Sequence, residues 1–193
     1  MSIVAIIQAR MGSSRLPNKM LLNMHGYPIV EWVYRRVKQS RLIDQVIFAL
    51  PDTSQDNILA WFLESLGASV FRGSETDLVD RYYQTAKNAS ADEIIRICAD
   101  NPLICASEID RLIDFFKLEL CDYAYNHSPR GNYYPDGIGA EICSIELLEE
   151  IKKKATTSEQ REHLFNSVWD NKSDYTIKTF DPIKEIAHPE LKF

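Results

Sequence analysis

Three permanent cations, Arg10, Arg15 and Lys19, fall within one ten-residue stretch directly after a short apolar run, Ile3 to Ile7. Between them lie hydroxyls at Ser13 and Ser14 and a permissive glycine, Gly12, and no carboxylate interrupts the stretch from Gln8 to Lys19. An arginine grips phosphate oxygens as a planar fork, and a lysine acts as a mobile point charge. This set of donors suits a polyanion such as a triphosphate; the plain alternative is a solvated surface loop.

The opposite chemistry sits in Ala99-Asp100-Asn101-Pro102-Leu103-Ile104. A carboxylate there can hold Mg²⁺ bridging nucleotide phosphates. Asp, Asn and Pro are also ordinary turn formers, so spacing alone leaves a turn equally open. Three further strings have readings as simple connections. Arg72 to Tyr83 has Glu75 and Asp77 suited to a helix N-terminus. Pro135-Asp136-Gly137 is a turn signal. Ser158-Glu-Gln-Arg-Glu-His163 reads as a capped helix start.

The elements that must position these residues are legible in the hydrophobic pattern. Ile3–Ile7 reads as a buried strand feeding its C-terminal loop. A helix follows over 28–40, with Ile29, Val33 and Val37 on one stripe, then a strand over 46–50 ended by Pro51. Residues 54–66 predict a second helix with Gly67 beyond its end, 69–71 a strand, and 77–87 a helix. Residues 94–98 predict a fourth strand, and 108–117 a helix behind Ser107 as cap. Such alternation implies an α/β fold: a mostly parallel, Rossmann-like sheet between two helical layers. In these sheets ligands bind beyond the carboxyl ends of the strands, near a topological switch point. The Arg10–Lys19 loop and the segment after Cys98 are therefore expected on one rim. Past residue 120 the alternation loosens into a strand over 122–126, a loop over 128–139, an extended 141–143, helices over 145–154 and 159–170, and a strand over 176–180. We read residues 1–193 as one domain whose part from about 120 is a C-terminal elaboration.

Bulk properties narrow the function. Hydrophobic residues make up 45% and charged ones 26% of the 193 residues, ordinary for a folded domain. A net charge of −6 argues against a general nucleic-acid binder and makes the opening cations a local feature. The four cysteines, Cys98, Cys105, Cys121 and Cys143, lack metal-ligand spacing and read as free thiols. The first residues do not resemble a signal peptide, and no window approaches the ~18 apolar residues of a membrane span. The expected compartment is the cytoplasm.

The opening string Ala9-Arg10, Gly12-Ser13, Arg15-Leu16-Pro17 and Lys19 resembles the signature of the cytidylyltransferases that make CMP-activated sugar acids, closest to their spore-coat polysaccharide branch. Neither a G-x-G-x-x-G fingerprint nor a G-x-x-x-x-G-K-[ST] loop is present. The resemblance spans nearly the whole chain and implies a fold of the nucleotide-diphospho-sugar transferase type. It implies that Ala9, Arg10, Gly12, Ser13, Ser14, Arg15 and Lys19 bind the nucleotide, with Arg10, Arg15, Lys19 and Asp100 catalytic and Asp100 a Mg²⁺ ligand. Gly73 and Ser74 would meet the pyrimidine edge, and Arg81 would reach toward phosphates. Asp136, Glu141, Arg161 and His163 would face the acceptor sugar. The resemblance implies a second metal-binding carboxylate beyond a His-Pro-Glu-Leu string; the sequence here stops two residues past that string, His188 to Leu191, so three readings stay open: a longer protein, another residue such as Asp181 in its place, or weak catalysis.

The implied reaction joins CTP and a sugar acid into a CMP-sugar and pyrophosphate, by attack of the acceptor hydroxyl on the α-phosphorus. Neuraminic, pseudaminic, legionaminic and octulosonic acids all lie within the resemblance, and a homodimer is expected from it. Two alternatives stay open: a transferase using another nucleotide such as GTP, and a nucleotide-binding module with lost or weak catalysis.

Overall fold

Strand β1 (Ile3–Gln8) lies in the interior of the sheet, and its residues Ile3 to Ile7 are buried on both faces. The computed structural model describes residues 1–13 and 15–192; Ser14 and Phe193 lie outside the described residues. On one side β1 pairs in parallel with β4 (Gln45–Pro51), which pairs in parallel with β5 (Ser69–Gly73). On the other side it pairs in parallel with β6 (Glu93–Cys98). The chain thus runs outward from β1 and then returns across it, so the switch point falls between β1 and β6. Three later strands extend the same sheet: β8 (Glu141–Ser144), antiparallel to β6; β7 (Tyr123–Tyr125), antiparallel to β8; and β9 (Ile177–Thr179), parallel to β7. A separate two-stranded hairpin, β2 (Asn23–Met24) with β3 (Tyr27–Pro28), follows the Arg10–Lys19 loop. His25 and Gly26, at φ of 55° and 99°, make its turn.

Period-two alternation along β1 divides the core. Ile3, Ala5 and Ile7 pack with helices α1 (Ile29–Val37), α2 (Asn57–Ser65) and α4 (Ala106–Leu118). Val4 and Ile6 pack with α3 (Leu78–Asn88), α5 (Ile145–Lys154) and α7 (Asn166–Asp170). This is the three-layer arrangement expected from the sequence. Gly67, at φ 75°, stands just past α2 as its pattern implied.

Two expectations need correction. Ser107 does not cap α4: the helix starts at Ala106, with Cys105 at the cap position, and Ser107 lies in its first turn. The helix expected over 159–170 is two, α6 (Ser158–Glu162) and α7. Residues 158–163 carry no apolar stripe, so nothing holds a continuous helix on the core. The backbone becomes extended at His163, and Leu164 and Phe165 turn inward.

Candidate active site

The rim at the carboxyl ends of β1 and β6 joins the two strings of opposite charge. Lys19 Nζ stands 2.8 Å from Asp100 Oδ2, 81 residues away in sequence. Ala99 N–H donates to Gln8 O, which sets the two loops side by side at their roots. The Asp100 side chain is 45% exposed and that of Lys19 24%, so this pair faces the open rim. Arg10 and Arg15 are exposed, Ala9 is buried at the base of the loop, Gly12 is exposed and Ser13 half-buried. Ser14, expected to bind nucleotide, lies outside the described residues.

The loop is anchored by a residue that the sequence did not single out. Asp56, 3% exposed, accepts the Met11 N–H at 2.7 Å through Oδ1 and the Thr53 hydroxyl at 2.6 Å through Oδ2. A carboxylate taking an amide hydrogen bond in a buried setting fixes that backbone strongly. Its only sequence signal is an acidic residue at the start of α2, which reads as helix dressing.

The second string forms a braced loop between β5 and α3. Ser74 Oγ accepts the Asp77 N–H, and Asp77 Oδ1 caps α3 by accepting the Asp80 N–H at 2.8 Å. Arg81 lies beneath the loop, 5% exposed, and donates from Nη1 to Ser74 O; its Nε has no partner among the described residues. Gly73 is packed against it: a Cβ there would sit 2.9 Å from Phe71 Cε1 and 3.1 Å from Arg81 Cγ. Burial lowers the Arg81 pKa, and the charge of Arg10 adds to that.

The third string reaches the same rim from the far side of β6. Cys105 N–H donates to Ile138 O at 2.8 Å, and the Asp136 amide donates to Leu191 O. Gly139 touches Asn126 so closely that a Cβ would fall 2.1 Å from the Asn126 carbonyl oxygen. Glu141 is not open to a sugar. It is 4% exposed, with Oε2 on Arg96 Nη1 and Oε1 on the Tyr123 hydroxyl. Burial pushes its pKa upward, but the adjoining Arg96 guanidinium overrides this and holds it below the ordinary value of 4.5. Arg96 also donates to Gln8 Oε1, which the Tyr82 hydroxyl reaches as well, so this network lies under the switch point.

Arg161 is engaged too: its Nη1 pairs with Asp77 Oδ2, which brings the fourth string against the second. His163 is exposed at the end of α6. Asp181, the candidate second carboxylate, accepts the Tyr133 N–H and does not build a metal cluster. Among the described residues no three His, Cys, Asp or Glu side chains gather in a metal-holding arrangement. Asp100, its side chain 45% exposed, is an open carboxylate at this rim that a divalent cation could meet. That fits an ion held chiefly by ligand phosphates, as Mg²⁺ usually is. Among the described residues no helix is long and apolar enough to cross a membrane, and all four cysteines are unpaired.

Comparison with known proteins gives the arrangement its context. The family model described as "Cytidylyltransferase" matches residues 4–132. The spore coat polysaccharide biosynthesis protein SpsF of Bacillus subtilis is 29% identical over 195 residues, covering 98% of this chain and 79% of its own. The 3-deoxy-manno-octulosonate cytidylyltransferase of Bdellovibrio bacteriovorus is 36% identical over 132 residues, covering 65% of this chain and about half, 51%, of its own. A cytidylyltransferase structure from Leptospira borgpetersenii superposes with a TM-score of 0.89 at 30% identity, over 100% of this chain and 80% of that one. The CTP complex of CMP:2-keto-3-deoxy-manno-octonic acid synthetase has a TM-score of 0.74 over 94% of this chain and 90% of that one, and at 21% identity it speaks to the fold alone. With a cationic loop and a carboxylate meeting at the switch point of such a sheet, and with two thirds of its length matched by the family model, the chain belongs to the cytidylyltransferase family of nucleotidyltransferases.

Proposed function

We propose that the protein transfers CMP from CTP to a hydroxyl of a sugar acid, of nonulosonic or octulosonic type, releasing pyrophosphate. The observation that carries this reading is the Lys19–Asp100 ion pair, which sets phosphate-binding and metal-binding chemistry side by side on the open rim. The relative named as a 3-deoxy-manno-octulosonate cytidylyltransferase supports the nucleotide and the acceptor class. The free thiols suit a reducing compartment, in keeping with a cytoplasmic enzyme.

In this reading Arg10, Arg15 and Lys19 hold the β- and γ-phosphates, and neutralise charge as it grows on the leaving pyrophosphate. Ala9, Gly12 and Ser13 belong to the same loop and shape it around those phosphates. Gly73 and Ser74 face the base, and Arg81 supports their loop from beneath. Asp100 holds the divalent ion, which we take as Mg²⁺ and which would polarise the α-phosphate. Orientation of the acceptor hydroxyl for in-line attack supplies the rest of the rate. Asp136 and His163 are the acceptor candidates whose side chains remain available; Glu141 and Arg161 serve other bonds.

The test is thermal unfolding with CTP, GTP, UTP and ATP in turn, with and without Mg²⁺. A ligand at 100 times its Kd adds about 2.7 kcal/mol, or about 5–11 °C for a domain of this size. A shift selective for CTP is expected, followed by pyrophosphate release with sugar acids. A selective GTP shift would reassign the nucleotide. CTP binding without pyrophosphate release from any sugar acid would favour a binding module over an enzyme.

A further inference from the structure

We infer that Arg161 is a positioning residue for the Gly73–Asp77 loop, and acts on nucleotide binding instead of on the acceptor. This rests on the reading of that loop as the nucleotide's. Asp77 has two oxygens with two tasks: Oδ1 caps α3 at the Asp80 amide, and Oδ2 takes Arg161 Nη1 from α6. The Asp77 amide in turn donates to Ser74 Oγ, so Arg161, Asp77 and Ser74 form one chain of polar contacts leading from α6 into the loop. Arg81 braces the same loop from beneath through Ser74 O. The loop is thus held between two arginines, one buried in the core layer and one supplied by the C-terminal part of the chain.

The electrostatics point the same way. Asp77 is a carboxylate, 19% exposed, in a loop read as facing a polyanion. Paired with Arg161 it is neutralised and aimed at the helix cap. Unpaired, it would repel phosphates and be free to leave the cap. A second bridge, Lys152 to Asp80 at 2.7 Å, joins α5 to α3 without touching the loop. It serves as an internal control.

The experiment compares wild type, Arg161→Ala, Arg161→Lys and Lys152→Ala by hydrogen exchange at the amides of residues 74–77 and by CTP titration in thermal unfolding. Arg161→Ala should speed exchange at those amides and weaken CTP binding by up to about fivefold, the range of a partly exposed ion pair. Arg161→Lys should restore part of both, and Lys152→Ala should move neither. Unchanged exchange in Arg161→Ala would overturn the proposal, as would an increase in acceptor KM with CTP affinity unaltered. If the wild type bound no CTP the nucleotide reading would fail by itself, while the exchange data would still decide whether Arg161 holds the loop.

Discussion

The rim of the sheet has two charged regions, and they are opposites in what their charges do. In the loops after β1 and β6, Arg10 and Arg15 are exposed, Asp100 is half-exposed, and Lys19, at the start of a short 3-10 turn, keeps 24% of its side chain exposed. Below that rim, on β6 and β8, Arg96 and Glu141 sit within paired strands and are consumed by each other and by Tyr123 and Gln8. A charge on a loop keeps water and can exchange it for a ligand. A charge on a central strand has lost its water and must be paired where it stands. In the proposed function the first region binds, while the second ties β6 to β8 beneath it.

The largest expected effect tests that division directly. Removing one member of the buried pair, by Arg96→Ala or Glu141→Ala, should cost about 3–5 kcal/mol in chemical denaturation, because the partner is left buried and uncompensated. Replacing both, as Arg96→Met with Glu141→Leu, should recover most of that loss. A small effect of the single substitutions would place these charges in the open class with Asp100.

Asp100→Ala should do the reverse. With a half-exposed side chain its loss should leave the denaturation midpoint nearly unmoved, yet lower turnover about 10²-fold or more, the scale of a lost electrostatic contact to the transition state. Full activity in that variant would sink its assignment as the metal ligand.

Asp56 tests the boundary between the two classes, being buried but serving the open loop. Asp56→Ala should cost about 1–3 kcal/mol by stranding the Met11 amide, and should also weaken CTP binding. A stability loss with unaltered CTP affinity would show that the loop does not depend on its anchor.

The smallest effect is a pH dependence. The Glu141 pKa is depressed in the folded protein, so its contribution is fully present above the unfolded value, near 4.5, and is lost as pH falls through the lower folded value. Stability should therefore decline on the acid side below about 4.5 more steeply in the wild type than in the Arg96→Met, Glu141→Leu double variant. Equal acid slopes would mean that this pair does not titrate on unfolding.

Much of the fold was legible because its signals are local. The run Ile3–Ile7, the stripe of α1 and the glycine after α2 each follow from neighbouring residues and a fixed period. The cationic loop was legible for the same reason, since Arg10, Arg15 and Lys19 are close in sequence. The helix expected over 159–170 failed where local propensity lacked an apolar stripe to bury, and the core took Leu164 and Phe165 instead.

Amino-acid order by itself thus determined the main parallel strands, the rim shared by the Arg10–Lys19 loop and the segment after Cys98, and the family. Only the tertiary structure decided which polar residues were left to bind anything. Glu141 and Arg161 read as acceptor contacts until Arg96, 45 residues away, and Asp77, 84 residues away, were found to hold them. Asp56 gained its role through an amide 45 residues distant. Such pairings depend on which strands lie side by side and how loops pack across them, and desolvation then enforces them, because a buried charge without a partner costs about 3–5 kcal/mol, a large share of a domain's stability.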